Sequence, residues 1–301
     1  MKKVIVTGGA GFIGSNLSKA LVSDGYGVHV VDNFAGGRMP ERLAADVTLH
    51  TADIRDRDAM FEIFEGAEYV FHLAALPRVQ DSIDHPVETH DVNVNGTLVV
   101  LEAARHAQVK KVIFSSSAAV YGDQPIMPLV EDMPASPKSP YGLHKYIGEC
   151  SMRLWAALYE VPTISLRYFN VYGPGFDPNG AYALVVGRFL DMRKKGKALP
   201  IAGDGTNTRD YVHVSDVVRA NILAAKNHRI AKGEVINIGG GVELSVNQIA
   251  SCVGGPVIHG APRIEPARCV ASTSRAKNTL GWVSTISPDE GISELKKSIG
   301  V

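Results

Sequence analysis

The segment TGGAGFIG, residues 7–14, lies between an apolar run, KVIVTG (3–8), and an amphipathic segment, IGSNLSKALVSDG (13–25). This order is typical of a strand, a tight glycine turn and a helix. Glycines in such a turn let a pyrophosphate approach the backbone N–H groups at the positive end of the helix dipole. The segment therefore predicts a dinucleotide site at the start of the chain.

Two glycine spacings fit this segment. It matches G-x-G-x-x-G through Gly9, Gly11 and Gly14, and also G-x-x-G-x-x-G through Gly8, Gly11 and Gly14. Asp32 ends the next apolar run, GVHVVD, eighteen residues after Gly14. Because a carboxylate there accepts ribose hydroxyls and repels a 2′-phosphate, it predicts NAD rather than NADP.

The first half of the chain continues to alternate strand-like and helix-like segments. After the first two runs come VTLHTAD (47–53), RDAMFEIFEG (57–66), EYVFHLA (68–74), TLVVLEAARHAQ (97–108) and KVIFSSS (111–117). Such alternation predicts an α/β fold with a doubly wound parallel Rossmann sheet.

The regularity weakens after a helix that runs to about Tyr159 and a strand, TISLRYF (163–169). Glycine and proline cluster in YGPGFDPNG (172–180), and a later run, EVINIG (234–239), restores the pattern of the sheet. We therefore expect a smaller C-terminal substrate-binding α/β region built from separated pieces. The predicted division is an NAD-binding domain, 1–168 plus about 212–240, and a substrate domain, about 169–211 plus 241–301.

The composition argues against several other classes of protein. The 31 Lys and Arg residues balance 31 Asp and Glu residues, so no charge excess favours nucleic acid or an acidic membrane surface. Cys150, Cys252 and Cys269 are far apart, which argues against a disulfide framework or a zinc site and favours a reducing cytoplasm. No apolar stretch approaches the roughly 18 residues of a membrane span, and the N-terminal run is too short for a signal peptide.

Other strand ends are expected to face the same ligand, because open parallel sheets bind at their carboxyl edge. These ends carry small or polar residues that let a flat cofactor lie close: Asp53 and Ile54, then Leu73, Ala74 and Ala75, then Ser115, Ser116 and Ser117.

The segment SPYGLHK (139–145) places Tyr141 four residues before Lys145. On a helix both side chains lie on one face and point into the cleft. A lysine cation about 6 Å away, at an effective dielectric near 20, contributes roughly 3 kcal/mol and lowers the pKa of a tyrosine by about two. An oxidised nicotinamide acts in the same sense, so the pattern predicts that Tyr141 is a base near neutral pH.

Taken together, the motifs resemble those of the extended short-chain dehydrogenase/reductases, and within them the nucleotide-sugar 4-epimerases of the UDP-glucose 4-epimerase type. The resemblance covers nearly the whole chain. It rests on TGGAGFIG, VVDN, ADIRD, FHLAA, NVNGT (93–97), FSSSAAVYG (114–122), SPYGLHK, LRYFNVYGP (166–174) and GDG followed by RDYVHVSD (209–216).

The resemblance implies roles for individual residues. Tyr141 is the base, Lys145 holds the nicotinamide ribose, Ser117 bonds the reacting sugar hydroxyl, and Asn93 braces the active site. Further contacts to NAD are implied for Gly8, Gly11, Phe12, Ile13, Gly14, Asp32, Asn33, Asp53, Ile54, Leu73, Ala74, Ala75, Asn93 and Ser115. Asn170 and Arg209 resemble ligands of the UDP-hexose, with the arginine placed for a diphosphate, and Arg263 is a further candidate. The family also implies a homodimer through the helices around 88–107 and 141–159.

Ala118 and Ala119 follow Ser117, where the related 4,6-dehydratases carry an Asp-Glu pair. Alanine transfers no proton, so 4-epimerisation through a 4-keto sugar is favoured over dehydration.

Uronate epimerases, decarboxylases and reductases share the same motifs and remain alternatives. A non-catalytic NAD sensor is an alternative from another class, although such proteins usually lose the tyrosine or the lysine. His72, His144 and His213 lack ligand partners at metal-binding spacing and are expected to be packing or surface residues.

Cys269 aligns with a position that controls substrate size in the resembling epimerases. Enzymes confined to glucose and galactose tend to carry a bulky tyrosine there, whereas cysteine leaves room for an acetamido group. DPNGAYA (177–183) also resembles the form found in epimerases that accept N-acetylated hexosamines. Ser272 departs from the family pattern, in which an aspartate is usual, so an ordinary buried thiol is the alternative for Cys269.

Overall fold

The computed structural model describes residues 1–37, 40–176, 185–262 and 267–301. The strands are β1 (Lys3–Thr7), β2 (Gly27–Val31), β3 (Thr48–His50), β4 (Ala67–His72), β5 (Lys111–Ser117), β6 (Thr163–Tyr168), β7 (Asn170–Tyr172), β8 (Leu199–Ala202), β9 (Thr208–His213), β10 (Lys232–Ile238), β11 (Glu243–Ser245) and β12 (Val257–Gly260). The helices are α1 (Phe12–Ser23), α2 (Arg57–Phe64), α3 (Val79–Asp84), α4 (Pro86–His90), α5 (Gly96–His106), α6 (Pro140–Leu158), α7 (Val185–Lys194), α8 (Val214–Lys226), α9 (Val246–Val253), α10 (Ser274–Leu280) and α11 (Pro288–Ile299).

Seven of these strands form one parallel sheet in the order β10-β6-β5-β4-β1-β2-β3. Its two faces carry separate apolar cores, because alternate residues of a strand point to opposite faces. In β1, for example, Val4 and Val6 pack with α1 and α8, whereas Ile5 packs with α2 and α5. Burial on both faces explains the nearly continuous apolar runs, and the predicted doubly wound parallel sheet is confirmed.

The strand order places the β1 turn at the middle of the sheet. From β1 the chain moves outward to β2 and β3, and then returns to the other side of β1 at β4. The carboxyl ends of β1 and β4 therefore flank the point at which the winding reverses, where open parallel sheets bind ligands. The late strand β10 joins the sheet beside β6, as the pattern of EVINIG predicts.

The smaller sheets lie in the second part of the chain. One has the order β11-β9-β7 and the other pairs β12 with β8. A third apolar core lies around them, formed largely by α7, α9 and α11. In the part of the chain that the structure describes, no helix combines the length and apolar character that a membrane crossing requires.

Candidate active site

The glycine turn lies at the centre of a cleft along the carboxyl edge of the large sheet. Gly8 has a φ of +68°, and a Cβ there would lie 2.7 Å from the backbone nitrogen of Ala74. A Cβ on Gly14 would lie 2.2 Å from the carbonyl oxygen of Gly8. Gly9 packs against Val30 instead of lining the cleft. The structure therefore favours the wider spacing through Gly8, Gly11 and Gly14.

Gly11 is the glycine that meets the cleft most openly. It is the N-cap residue of α1 and makes no side-chain cap, and a Cβ there would meet only the Gly8 oxygen, at 3.2 Å. The positive end of the α1 dipole thus points into the cleft, at a place where no side chain shields it. A pyrophosphate fits these features, because it gains from close N–H groups and from the dipole.

Asp32 follows β2 and lies at the side of the cleft. Its carboxylate accepts backbone hydrogen bonds from Ala10, over 2.9 Å, and from Phe34, over 2.8 Å. Burial raises the pKa of Asp32, and the two hydrogen bonds oppose that shift. The carboxylate is therefore held in one orientation beside the glycine turn, where it can accept ribose hydroxyls.

Asp53 follows β3 and belongs to a group of polar residues. Arg55 donates to both of its carboxylate oxygens, over 2.9 and 2.8 Å, and Asn33 donates to one of them over 2.9 Å. The Arg55 hydrogen bonds lower the pKa of Asp53 to about 2. Arg55 also pairs with Asp91 at 2.6 Å. This group joins the ends of β2 and β3 to the start of the π-helical turn 91–95.

Asn93 lies in that π-helical turn and not in the wall of the cleft. Its side chain accepts from the backbone nitrogen of Leu76 over 2.8 Å and donates to the Leu76 oxygen over 3.0 Å. It therefore holds the loop that follows β4, which agrees with the bracing role implied by the resemblance. π-helical turns of this kind are frequent at functional sites.

His72 lies behind this loop and is fully buried. Its ring nitrogens hydrogen-bond the hydroxyls of Thr7, at 2.7 Å, and Thr97, at 2.9 Å. Burial lowers the pKa of His72 to about 3, so the imidazole stays neutral. In the described residues, no cluster of three or more His, Cys, Asp or Glu side chains is arranged to hold a metal ion.

Ser117, Tyr141 and Lys145 meet at one end of the cleft. The side chain of Ser117 hydrogen-bonds Tyr141, and the Nζ atom of Lys145 lies 5.9 Å from the centroid of the tyrosine ring. The first turn of α6 is fixed by two serines. Ser139 accepts from the backbone nitrogen of Gly142, and Ser82 accepts from that of Tyr141, each over 3.1 Å.

The electrostatics of this trio differ from the sequence expectation. Burial raises the pKa of Tyr141 to about 12, and the hydrogen bond with Ser117 acts in the opposite direction. Burial also lowers the pKa of Lys145 to about 8. The expected lowering by Lys145 does not prevail, because the same apolar surroundings disfavour both charged side chains. The protein alone thus holds a neutral phenol at pH 7.

Most predicted NAD contacts line this cleft. They are Gly8, Gly11, Phe12, Ile13, Gly14, Asp32, Asn33, Asp53, Ile54, Leu73, Ala74, Ala75, Ser115, Tyr141 and Lys145, with Ser117 beside them. Arg42, Arg55 and Tyr168 also line it. Arg55 and Tyr168 lie within the motifs ADIRD and LRYFNVYGP, although no role was predicted for them, and Arg42 lies in no motif.

The predicted substrate residues lie on the second part of the chain. Asn170 donates to the backbone oxygen of Asp210 over 2.9 Å, and Arg209 is the neighbour of Asp210 in β9. Cys269 belongs to a small apolar cluster that includes Ala118, the residue after Ser117. The fold therefore brings Cys269 next to the residue that follows Ser117. Arg263 and residues 177–183 are outside the described residues.

Sequence analysis missed the residue that joins these segments. Asp210 is fully buried, and its carboxylate accepts hydrogen bonds from the backbone nitrogens of Gly240, Gly241 and Ala271. It thereby ties β9 to the loop after β10 and to the strip that contains Cys269. The signal is an acidic residue directly before an apolar run in RDYVHV, where a charge is costly unless it is hydrogen-bonded.

A second cleft lies in the smaller region. Its wall is about equally polar and apolar and comes largely from α7, β8, α9 and β12. Val185, Phe189, Ile201, Val246 and Ile258 are among its apolar residues, and Arg188, Asn207 and His259 among its polar ones.

Comparisons with known proteins agree with this arrangement. Residues 4–239 match the NAD dependent epimerase/dehydratase family. A UDP-glucose 4-epimerase of Mycolicibacterium smegmatis is 39% identical over 308 residues, which cover 97% of this chain and 96% of that protein. A crystal structure of UDP-glucose 4-epimerase from Thermotoga maritima with UDP-glucose has a TM-score of 0.92 at 38% identity, covering 99% of both chains. A UDP-N-acetylglucosamine 4-epimerase from Methanobrevibacter ruminantium, in complex with UDP-N-acetylmuramic acid, has a TM-score of 0.91 at 32% identity, covering 99% of both chains.

The chain belongs to the NAD-dependent epimerase/dehydratase family. The predicted resemblance to nucleotide-sugar 4-epimerases and the prediction of NAD as the cofactor are confirmed.

Proposed function

We propose that this member of the family interconverts UDP-glucose and UDP-galactose by NAD-dependent epimerisation at C4, through a 4-keto sugar. The observation that carries the proposal is the meeting of Ser117, Tyr141 and Lys145 at one end of a cleft shaped for a dinucleotide. Relatives named UDP-glucose 4-epimerase, similar over almost the whole chain, support the same reaction.

The cleft fits NAD through its own residues. Gly8 and Gly14 keep side chains out of the turn, Gly11 opens the helix N-terminus to the pyrophosphate, and Asp32 receives a ribose. Lys145 lines the same cleft beside Tyr141 and is assigned to the nicotinamide ribose. Bound in this cleft, NAD would supply a reversible hydride acceptor for C4 of the sugar and a positive charge that favours a phenolate.

Tyr141 is the group that takes the proton from the C4 hydroxyl. Its burial disfavours a free phenolate, so the proton moves only when positive charge is close to the ring. The cation of Lys145 supplies part of that charge, and the hydroxyl of Ser117 orients the phenol and the sugar hydroxyl. Tyr141 then returns the proton to the C4 oxygen when the keto group is reduced, so the residue is unchanged after each turnover.

The rest of the substrate extends over the second part of the chain. Arg209 is assigned to the diphosphate, because its guanidinium is the group that pairs with phosphates, Asn170 to a polar group of the substrate, and the second cleft to the base. Arg263 remains a predicted second phosphate ligand. We also propose that the N-acetylated pair, UDP-GlcNAc and UDP-GalNAc, is accepted, because Cys269 is small and lies in the cluster beside Ala118. A structural relative that is a UDP-N-acetylglucosamine 4-epimerase supports this second pair.

Dehydration is disfavoured by the residues after Ser117. Ala118 and Ala119 begin the short 3-10 turn that packs against the first turn of α6, so the position offers two methyl groups and no carboxylate. Elimination of water needs an acid and a base at this point, which alanine does not provide.

The direct test uses purified protein with UDP-galactose and no added NAD. We expect UDP-glucose to form until the two sugars reach equilibrium, and NAD to be released in proportion to protein after denaturation. Loss of carbon dioxide from UDP-glucuronate, or consumption of NADH with net reduction, would instead identify a decarboxylase or a reductase. Bound NAD without turnover on any of these sugars would favour the sensor.

We further propose a cytoplasmic homodimer with the two-part domain division given above. An apolar stripe with helical spacing runs along the outer face of α6, and Leu143, Leu154 and Leu158 in it are 44%, 49% and 62% exposed. A second copy of the chain is the proposed occupant, since two such stripes bury each other in an antiparallel or parallel helix pair. Light scattering of the wild type and of Leu154→Glu tests it, with a shift to monomer expected for the variant.

A further inference from the structure

A buried hydrogen bond lies directly behind the catalytic end of the cleft. Alternate residues of a strand face opposite ways, and Ser116 lies between Ser115 and Ser117 at the end of β5. Its buried hydroxyl donates to the Oε1 atom of Glu149 over 2.5 Å. The end of β5 is therefore tied to α6 by the side chain of Ser116, a residue that also lines the cleft.

Glu149 lies on the same helix as the catalytic pair. It follows Lys145 by four residues and Tyr141 by eight, so all three project from nearby faces of α6. Its side chain is fully buried, and Arg167 donates to both carboxylate oxygens over 2.7 Å. Arg167 is itself paired with Ser116 in the register of β5 and β6. Strand and helix are thus fixed to each other at one point by three side chains.

The contacts continue from Arg167 toward the substrate strip. The guanidinium carbon of Arg167 lies 4.5 Å from the centre of the Tyr121 ring, and the Tyr121 hydroxyl donates to Asn237 over 2.7 Å. Asn237 donates to the backbone oxygen of Leu129 over 2.9 Å. That same oxygen accepts from the backbone nitrogen of Ser272 over 2.8 Å. A continuous path therefore runs from Ser116 to the strip Cys269–Ser272.

Stability alone does not explain a charged pair in this position. Removing two charges from water costs several kcal/mol, and apolar residues of similar volume often replace a buried pair with no loss of stability. Glu149 and Arg167 instead provide directional contacts between the end of a strand and a helix that both carry reacting groups. The planar guanidinium of an arginine supplies this direction, because it forms two parallel hydrogen bonds with a carboxylate.

We propose that Glu149 and Arg167 are a positioning pair, which holds Ser117 against Tyr141 through Ser116 and holds the strip Cys269–Ser272 through Tyr121 and Asn237. The inference rests on the proposed function, because the reaction gives Ser117 and Tyr141 their roles. Neither Glu149 nor Arg167 contacts the reacting atoms, so both act through their neighbours.

Three variants test the pair. Ser116→Ala removes only the link between the strand and Glu149. The double variant Glu149→Met with Arg167→Met replaces the pair by apolar side chains and leaves no unpaired buried charge. Lys111→Met is the control, because Lys111 is a buried cation at the other end of β5, bonded to the backbone oxygens of Ala224 and Asn227. Each is measured for kcat, KM, bound NAD, melting temperature and the pH dependence of kcat.

We expect kcat to fall about ten-fold in Ser116→Ala and more in the double variant, with bound NAD unchanged, since small misplacements of reacting groups reduce rates strongly. The Ser117 hydrogen bond lowers the pKa of Tyr141, so its weakening should move the acid limb of kcat to higher pH. Lys111→Met should lower the melting temperature but leave kcat and the acid limb of its pH dependence unchanged.

The inference is overturned if Ser116→Ala keeps wild-type kcat and acid limb, whatever the double variant does. It is also overturned if Lys111→Met loses as much kcat as Ser116→Ala, because general loosening of β5 then explains the effect. The turnover of the wild type, measured in the same assays, tests the proposed function separately. An inactive wild type would refute the proposed function. An active wild type with equally active variants would refute only the positioning role of Glu149 and Arg167.

Discussion

The NAD cleft and the substrate side of the molecule are built in different ways. The cleft collects residues from the ends of β1 to β5, which meet at one edge because the strands are parallel neighbours. The substrate side joins β7, β9, the loop after β10 and the strip at Cys269. The carboxylate of Asp210 accepts from backbone nitrogens of the loop and the strip, and its backbone oxygen accepts from the side chain of Asn170 in β7. A cofactor site of this kind follows from sheet order, whereas the substrate site depends on one buried carboxylate.

Tyr141→Phe is expected to have the largest effect. It removes the group that accepts the proton and leaves both the NAD cleft and the substrate side in place. We expect turnover to fall by about 10² to 10⁴, the usual contribution of a positioned base, while bound NAD is retained. Stopped assays on UDP-galactose and NAD release after denaturation measure the two effects. Tyr146→Phe on the same helix is the control, and near wild-type turnover in Tyr141→Phe would refute the assignment.

Asp210→Asn tests whether the substrate side depends on the buried carboxylate of Asp210. An amide cannot accept all three backbone hydrogen bonds and turns a donor toward some of them, which costs about 1.5–3 kcal/mol for bonds to a charged group. We expect KM for UDP-galactose to rise at least several-fold, with bound NAD unchanged.

The control for Asp210→Asn lies in the same segment. Asp216 is also buried and accepts backbone hydrogen bonds, from Thr285 and Ile286, but it lies on α8, the helix that follows β9. Asp216→Asn should lose stability with KM unchanged. Equal rises in KM for both variants would show that Asp210 acts through stability alone.

Asp32→Ala tests the cofactor side. Its carboxylate is expected to bond the ribose and to repel a 2′-phosphate, so its loss should weaken NAD binding about ten-fold and narrow the preference for NAD over NADP. Titration of protein stripped of cofactor with NAD and NADP gives both affinities. Asp24→Ala, at the exposed end of α1, is the matched control, and an unchanged preference in Asp32→Ala would contradict the role.

The two sides also differ in how far the sequence predicts them. Gly8, Gly14 and Asp32 are recognisable because the turn and the strand end impose residue types at fixed spacing. Asp210 and the pair Glu149–Arg167 are not, since their partners are backbone nitrogens and side chains far away in the chain. The electrostatics of Tyr141 are only partly predictable for a related reason: spacing gives the distance to Lys145 but not the burial, which raises the pKa of the tyrosine in the protein alone.

The smallest effect is expected at Cys269, where size and not chemistry is changed. The thiol is part of an apolar cluster with Ala118, Ala271 and Tyr121, and burial raises its pKa to about 12, so it stays a neutral, compact side chain. A tyrosine at this position adds a ring beside Ala118, the residue that follows Ser117. It is therefore expected to exclude an acetamido group while leaving room for a hydroxyl.

We predict that the wild type converts both UDP-Glc/UDP-Gal and UDP-GlcNAc/UDP-GalNAc, and that Cys269→Tyr lowers kcat/KM for the acetamido pair about ten-fold or more while changing the smaller pair little, because a steric overlap that cannot relax costs about 1–3 kcal/mol. Cys269→Ala keeps the space and should convert both pairs. Melting temperatures of the two variants separate exclusion from misfolding. The size role is wrong if the wild type ignores the acetamido sugars, or if Cys269→Tyr converts them as well as the wild type does. A uniform loss on both pairs would instead make Cys269 an ordinary packing residue, and the specificity of the substrate side would then lie in other residues.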